Sequence, residues 1–393
     1  GLKSSNVKTT LLRNQILYEG FVLGVRYEVL LTVKDFTFIY QVSLEGSGEY
    51  ELYFTQDIGL NHEGAILNNE AYNAQYLDHR IFKTKDGYIT LSRQNQGRND
   101  LLQIGSNYKI NSYSTDMLQF YGLSFKENRE ILGLKKEKLE NKNLQYEMPL
   151  IALQTKPFTL GKKVISFYGL YIPDHEEILE EPYKVEIDYI NKNEKIKELL
   201  FIKPLIGNVI NGLSVSHPSK NRSFVEYNKE GRVIAFFDEN KHIVKKEKEL
   251  LTERTHGHLM ISGDILNAGT TMASTNFMNG IFASRIVIGN TNFHRLNGDL
   301  RNGLNLQTIS GLRAYLKYDN KWHLLNVPSY YELSASKTSW VYVFNNDEIK
   351  IDYYVALEDC CQQLSFKSKN NIKYDIIFTN QLTLGESEYK QKI

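Results

Sequence analysis

Short runs in which apolar and polar side chains alternate dominate the chain, and they are rich in Tyr, Phe, Val and Ile. Alternation with period two places successive side chains on opposite faces of an extended backbone, so each run predicts a half-buried strand. Tyr27–Val33, Phe36–Val42, Ile286–Gly289, Trp340–Phe344 and Ile349–Leu357 are of this kind. Between such runs lie Glu45–Gly48, Lys85–Gly87, Lys229–Gly231, Asp319–Lys321 and Asn345–Asp347, whose Gly, Asn and Asp residues suit the tight connections of hairpins. Helical spacing is scarce. The candidates are Asp174–Glu181, started by Pro173 and Asp174 and stopped by Pro182, and parts of Glu127–Asn141. The pattern predicts an all-β protein.

Two charge-rich, apolar-poor stretches interrupt it: Lys135–Asn143, expected as a solvated loop, and Asp238–Arg254, which contains the run KHIVKKEKE from Lys241 to Glu249. Beyond His256 the chain turns to Gly, Asn, Ser and Thr, and this change of texture makes the second stretch the expected linker. The expected organisation is therefore a first β-sandwich domain over residues 1–238, a linker over 239–254, and a second β-sandwich over 255–393 whose completeness the sequence leaves open. No fixed-period repeat is visible, which argues against a solenoid or propeller.

Composition narrows the classes of partner. A chain of 393 residues, 41% hydrophobic, can bury a sizeable core. Its 47 basic and 46 acidic side chains leave a formal charge of +1, which builds no field for nucleic acid or an anionic membrane. A neutral partner fits better. No stretch approaches the roughly 20 apolar residues of a membrane-spanning helix, and the first residues lack a signal-peptide core, so the expected location is cytoplasmic. The two cysteines, Cys360 and Cys361, are adjacent; a bond between neighbours is strained, and they make neither a disulfide framework nor a metal site.

Candidate chemistry is sparse. Asp57, Glu63, Glu70 and Asp78 could in principle supply the facing carboxylates of a glycosidase, but proximity in sequence is weak support. His256 and His258 would share one face of a strand, and His62 and His79 lie earlier in the chain. Without a third ligand at a recognisable spacing they make no metal site, and no cofactor is expected. No nucleophile elbow, phosphate-cradling loop or dinucleotide fingerprint occurs. What remains is an abundance of Tyr, 26 in all, together with Asn, Gln, Trp322 and Trp340. Aromatic faces and amides suit contact with sugars, and aromatic rings in strands equally suit a β core.

The run QDIGLNHEGAILNNEAYNAQYLDHRIF from Gln56 to Phe82, followed by SRQNQ from Ser92 to Gln96, resembles the amino-terminal region of glycoside hydrolase family 94, the inverting sugar phosphorylases, and of the related cyclic β-1,2-glucan synthases. ISFYGLYIPDH (165–175), ELLTERTHGH (249–258), ASTNFMNGIFAS (273–284), GNTNF (289–293) and TNQLTLG (379–385) are similar to segments of the 1,2-β-oligoglucan phosphorylase and glucan synthase branch, in one order along most of the chain. The resemblance implies two large antiparallel β-sandwiches of the galactose mutarotase-like supersandwich type, set before an (α/α)6 barrel. In that family the barrel holds the catalytic acid, which protonates the glycosidic oxygen while phosphate attacks the anomeric carbon. Twelve helices and their connections need about 200 residues, and no such helical block occurs here, so no catalytic residue is assigned.

The expected role is thus a non-catalytic, carbohydrate-related sandwich portion of a glycoside phosphorylase or β-1,2-glucan synthase, the chain by itself inactive. Its expected partners are a helical-barrel catalytic domain in cis or trans, a second copy in a homodimer, and a β-linked gluco-oligosaccharide. Asn276, Phe277, Arg285, Asn290, Asn292 and Phe293 are the candidate carbohydrate contacts. A mutarotase-like or lyase-like enzyme acting within the β fold, and a stand-alone carbohydrate-binding module, are the alternatives.

Overall fold

The alternating runs fold as strands. Tyr27–Val33 lies within the strand Val25–Lys34, Trp340–Phe344 within Lys337–Phe344, Ile349–Val355 within Asp347–Val355 and Ile286–Ile288 within Ile281–Ile288; Gly289, Ala356 and Leu357 of the expected runs lie outside the described residues. The computed structural model describes residues 7–145, 147–175, 179–199, 208–264, 266–267, 271–288, 311–335, 337–355 and 361–382. Two units divide the chain: one takes Gly1–Gly122 and Ile131–Ile206, the other Leu123–Glu130 and Gly207–Ile393.

The first unit contains a nine-stranded sheet among its described residues. In spatial order its strands are Lys195–Glu198, Val7–Leu12, Gln15–Val22, Val25–Lys34, Thr37–Tyr50, Phe158–Ile172, Leu101–Ser106, Gly87–Gln94 and Leu77–Thr84. A three-stranded sheet of Tyr53–Asp57, Pro149–Thr155 and Ile110–Asp116 accompanies it. Leu44, Ile104, Ile165 and Phe167 of the large sheet pack with Phe54, Ile151 and Leu153 of the small one, and the rings of Phe54 and Phe167 stack at 5.0 Å. Each such side chain contributes about 1.5–3 kcal/mol by leaving water, which is why the apolar positions of the alternation face this core.

The second unit holds two seven-stranded sheets among its described residues. One includes Gly257–Ser262, Met272–Phe277, Ile281–Ile288, Leu312–Tyr318 and Lys321–Leu325; the other includes Ser223–Tyr227, Val233–Asp238, Lys241–Lys245, Tyr330–Leu333, Lys337–Phe344 and Asp347–Val355. Met260, Phe282 and Leu316 of the first belong to one core with Trp340, Tyr342, Ile351 and Tyr353 of the second. Pairing among the described strands is antiparallel apart from the short strand Asn208–Ile210, which runs parallel to Lys321–Leu325. The molecule is all-β, as its sequence pattern predicts.

Turn chemistry placed several connections correctly. Asp319 and Asn320 (φ 50° and 55°) and Asn345 and Asn346 (φ 48° and 59°) turn two hairpins, each with a pair of left-handed residues, the conformation that matches the twist of the flanking strands. Gly87, at φ 104°, starts the return strand of a third, where a Cβ would sit 2.2 Å from the Ile110 carbonyl oxygen.

Other segments depart from expectation. Glu45–Gly48 lies inside the long strand Thr37–Tyr50, because the partner strand shifts register between Leu160 and Lys162 and the glycines serve that irregularity, not a turn. Pro173 and Asp174 form a turn; residues 176–178, within the helix expected over Asp174–Glu181, lie outside the described residues. The longest described helix, Glu63–Ala74, has no counterpart among the expected helices: Gly64, Asn68, Asn69 and Asn73 are poor helix formers and mask it. The linker expected over 239–254 differs from the division into units. Lys241–Lys245 is an inner strand of a sheet and Lys246–Glu249 a helical turn whose Lys246 and Glu249 are buried and paired, not solvated.

Candidate functional site

Asn276, the first of the residues singled out for sugar contact, is fully buried in the second unit. Its amide donates to Thr338 Oγ1 at 2.9 Å and its Oδ1 accepts from the Tyr331 hydroxyl, so strand alternation turned it inward and its polar atoms join two sheets instead of meeting a ligand. Phe277 is half-buried, its carbonyl accepting the Trp340 indole N–H at 3.1 Å. Arg285 lies on the strand Ile281–Ile288, but its side chain is outside what the structure describes; Asn290, Asn292 and Phe293 lie outside the described residues altogether.

The titratable candidates also resolve into structural roles. His256 Nδ1 meets Glu249 Oε2 at 2.7 Å, a His–Glu pair of the type a sugar enzyme could use. Glu249, however, is wholly buried, and its other oxygen accepts from Lys126 Nζ at 3.2 Å. Lys126 also donates to the Thr252 carbonyl at 2.7 Å. Burial pushes the lysine ammonium below its ordinary range, against the pull of Glu249. His258 Nε2 lies 3.0 Å from the Ser334 carbonyl oxygen, so the two histidines serve different partners. No group of three or more His, Cys, Asp or Glu able to hold a metal occurs among the described residues. Burial raises the Asp57 carboxyl, while His79 lies buried with Nδ1 2.9 Å from Ser92 Oγ. The signature run itself is spent on folding: Asn61 donates to Asn73 Oδ1 at 2.6 Å, Asn73 to the Ala65 carbonyl at 2.9 Å, and Gln94 to the Asn73 carbonyl at 3.3 Å.

A small pocket of the first unit is lined by Asp78 and Arg80 of that run, and a larger cleft lies elsewhere. On the nine-stranded sheet, Arg26, Glu45 and Lys162 stand in one cross-strand row over three neighbouring strands, and Glu28, Ser43 and Val164 in the next. Two-residue spacing puts both rows on one face. They form the floor of a cleft of about 390 Å³, to which Tyr189 contributes a wall. Its carboxylates face cations: Lys162 lies 3.3 Å from Glu45, Arg26 3.7 Å from Glu28, and Lys192 2.7 Å from Glu28.

Tyr189 belongs to a strap without regular structure, residues 183–194, that three strand glutamines hold against the sheet. Gln103 donates to the Tyr183 carbonyl (2.9 Å) and accepts its N–H (2.8 Å); Gln41 does the same for Ile190 at 3.0 and 2.8 Å. Gln15 donates to the Asn191 carbonyl at 3.0 Å and accepts from the Asn193 N–H at 2.8 Å. An amide offers a donor and an acceptor side by side, so each glutamine supplies the pairing that a neighbouring strand would. Beyond the strap the chain enters the edge strand Lys195–Glu198. No sequence expectation pointed to this cleft. The available signal was Gln15, Gln41 and Gln103 at strand positions, all three buried.

These features define an all-β sandwich protein in which Glu249, His256 and His258 are engaged in bonds within the second unit. Residues 2–169 match the family model of the SOGP N-terminal domain, and residues 218–393 that of the glycoside phosphorylase supersandwich domain; the chain belongs to this family, as its amino-terminal sandwich region. It is 32% identical over 389 residues to the 1,2-beta-oligoglucan phosphorylase of Listeria innocua serovar 6a, an alignment covering 96% of this chain and 36% of that protein. The chain thus spans well under half the length of that relative. Among solved structures it is similar to a putative kojibiose phosphorylase from the human microbiome (13% identity, TM-score 0.24, 41% of this chain and 18% of that one). It is also similar to a polysaccharide lyase (9% identity, TM-score 0.25, 92% and 39%). Likeness at these scores carries no functional argument. No helix among the described residues is long and apolar enough to cross a membrane.

Proposed function

We propose that this chain is the non-catalytic sandwich portion of a cytoplasmic glycoside phosphorylase or β-1,2-glucan synthase, packing against a helical-barrel catalytic domain, taking part in a homodimer and contacting a β-linked gluco-oligosaccharide. The observation that carries the reading is the pair of family models, in order, over residues 2–169 and 218–393. The engagement of Asn276, Glu249 and His256 in buried structural bonds favours a scaffold over an enzyme acting within the β fold. Sugar contact by Phe277, Arg285, Asn290, Asn292 and Phe293 belongs to the same proposal.

The test is phosphorolysis. A polypeptide carrying this chain ahead of its barrel is expected to release glucose 1-phosphate from linear β-1,2-glucan with inorganic phosphate, and the 393-residue chain alone to release none. Turnover by the isolated chain would overturn the scaffold reading. Arg285→Ala in the full polypeptide is expected to raise KM for the glucan; an unchanged KM would remove Arg285 from the contact surface.

A further inference from the structure

We propose that the cleft under the 183–194 strap is a binding site for a short neutral oligosaccharide, with a sugar ring stacked on Tyr189 and its hydroxyls served by Arg26, Glu28, Ser43, Glu45 and Lys162. The inference rests on the carbohydrate-related reading of the chain and gives it a place in the first unit.

Three observations converge. A volume of about 390 Å³ falls within the ~300–1,000 Å³ of small-ligand sites. Arg26 and Lys192 lie within 4 Å of Glu28 and Lys162 within 4 Å of Glu45, so the floor sets donors and acceptors side by side. That is the character a polyhydroxylated, uncharged ligand requires, because every hydroxyl both donates and accepts. The third is the aromatic. Tyr189 is 66% exposed, yet the next residue, Ile190, is fixed through both its N–H and its carbonyl by Gln41. An exposed ring on an immobilised backbone loses little entropy on stacking against the C–H face of a sugar.

Calorimetric titration of the 393-residue chain with a short linear β-1,2-gluco-oligosaccharide tests the site, alongside a titration with an acidic oligogalacturonide. Binding of the neutral sugar with a Kd of order 0.1–1 mM is expected, weakened at least tenfold by Tyr189→Ala and by Glu45→Gln. Both positions are more than half exposed, so the variants retain the fold, checked by unchanged urea midpoints. Phe224→Ser, a change at an exposed ring of the other unit, is expected to leave binding intact. Absence of binding, binding that survives Tyr189→Ala, or tighter binding of the acidic sugar would each overturn the proposal. None of these would touch the scaffold reading, which stands or falls on phosphorolysis by the full polypeptide.

Discussion

Gln41 shows how much one side chain settles in this fold. It is 3% exposed and lies on the face that an all-β reading assigns to solvent, yet its amide closes two bonds to the Ile190 backbone. Gln41→Leu keeps the volume and strands the Ile190 N–H and carbonyl, so a loss of about 2–3 kcal/mol is expected from urea denaturation, with faster amide exchange through the strap. A loss below about 0.5 kcal/mol would show that water replaces the amide without cost. His79 supplies the acid sensitivity. Burial pushes its imidazole from 6.5 down to about 4, against the neighbouring Asp78 carboxylate. Above pH 6.5 the ring is neutral whether folded or unfolded; as pH falls toward 4 the unfolded chain takes up a proton that the fold resists. Stability is therefore full at neutral pH and declines by about 3 kcal/mol through this window. His79→Gln is expected to flatten that part of the urea-midpoint profile, and an equal slope in the variant would assign the decline to other groups.

Among the elements, what was legible followed from local chemistry, and what was not depended on a partner. The Asp319-Asn320 and Asn345-Asn346 hairpins could be foreseen because left-handed residues declare themselves in sequence. Glu45–Gly48 misled because its glycines answer a register shift in a strand more than a hundred residues away. The run Lys241–Glu249 misled through composition: its charges are solvated or paired while Ile243, Val244 and Glu249 are wholly buried. Candidate sites suffered likewise, since Asn276 and His256 are residue types that ligands use and only tertiary bonds show them occupied. The Lys126–Glu249 pair makes the point measurable. Lys126→Met leaves a buried carboxylate with His256 alone and is expected to cost about 3–5 kcal/mol, whereas Lys126→Met with Glu249→Leu is expected to recover most of that. If the double change costs as much as the two single ones summed, the pair is not coupled.

At the level of the whole molecule, the division into units cannot be made with one cut. Leu123–Glu130, flanked on both sides by residues of the first unit, belongs to the second. There Lys126 reaches Glu249, Arg129 donates to Asn326 Oδ1 at 3.1 Å, and Asn326 donates back to the Lys126 carbonyl at 2.7 Å. Asn211 donates to the Glu127 carbonyl at 2.9 Å, and Lys246 pairs with the Glu127 carboxylate at 2.7 Å. No periodicity or composition signal marks so short a segment as part of a distant unit, which is why a single boundary was the natural expectation. The consequence is testable by truncation. A chain beginning at Gly207 keeps every strand described for the second unit but leaves Glu249 without its ammonium partner and the Asn326 amide without its carbonyl acceptor. Removing one side of a buried charged network costs about 3–5 kcal/mol, a large share of the ~5–15 kcal/mol that holds a domain folded. The truncated chain is expected to melt well below the intact protein, and a peptide of the Leu123–Glu130 sequence, added in trans, to raise its midpoint. The same peptide with Lys126→Met should not, because what the segment brings is one buried ammonium and not merely apolar surface. If the truncated chain is fully stable without any peptide, the segment is a passenger and Glu249 is satisfied by His256 alone.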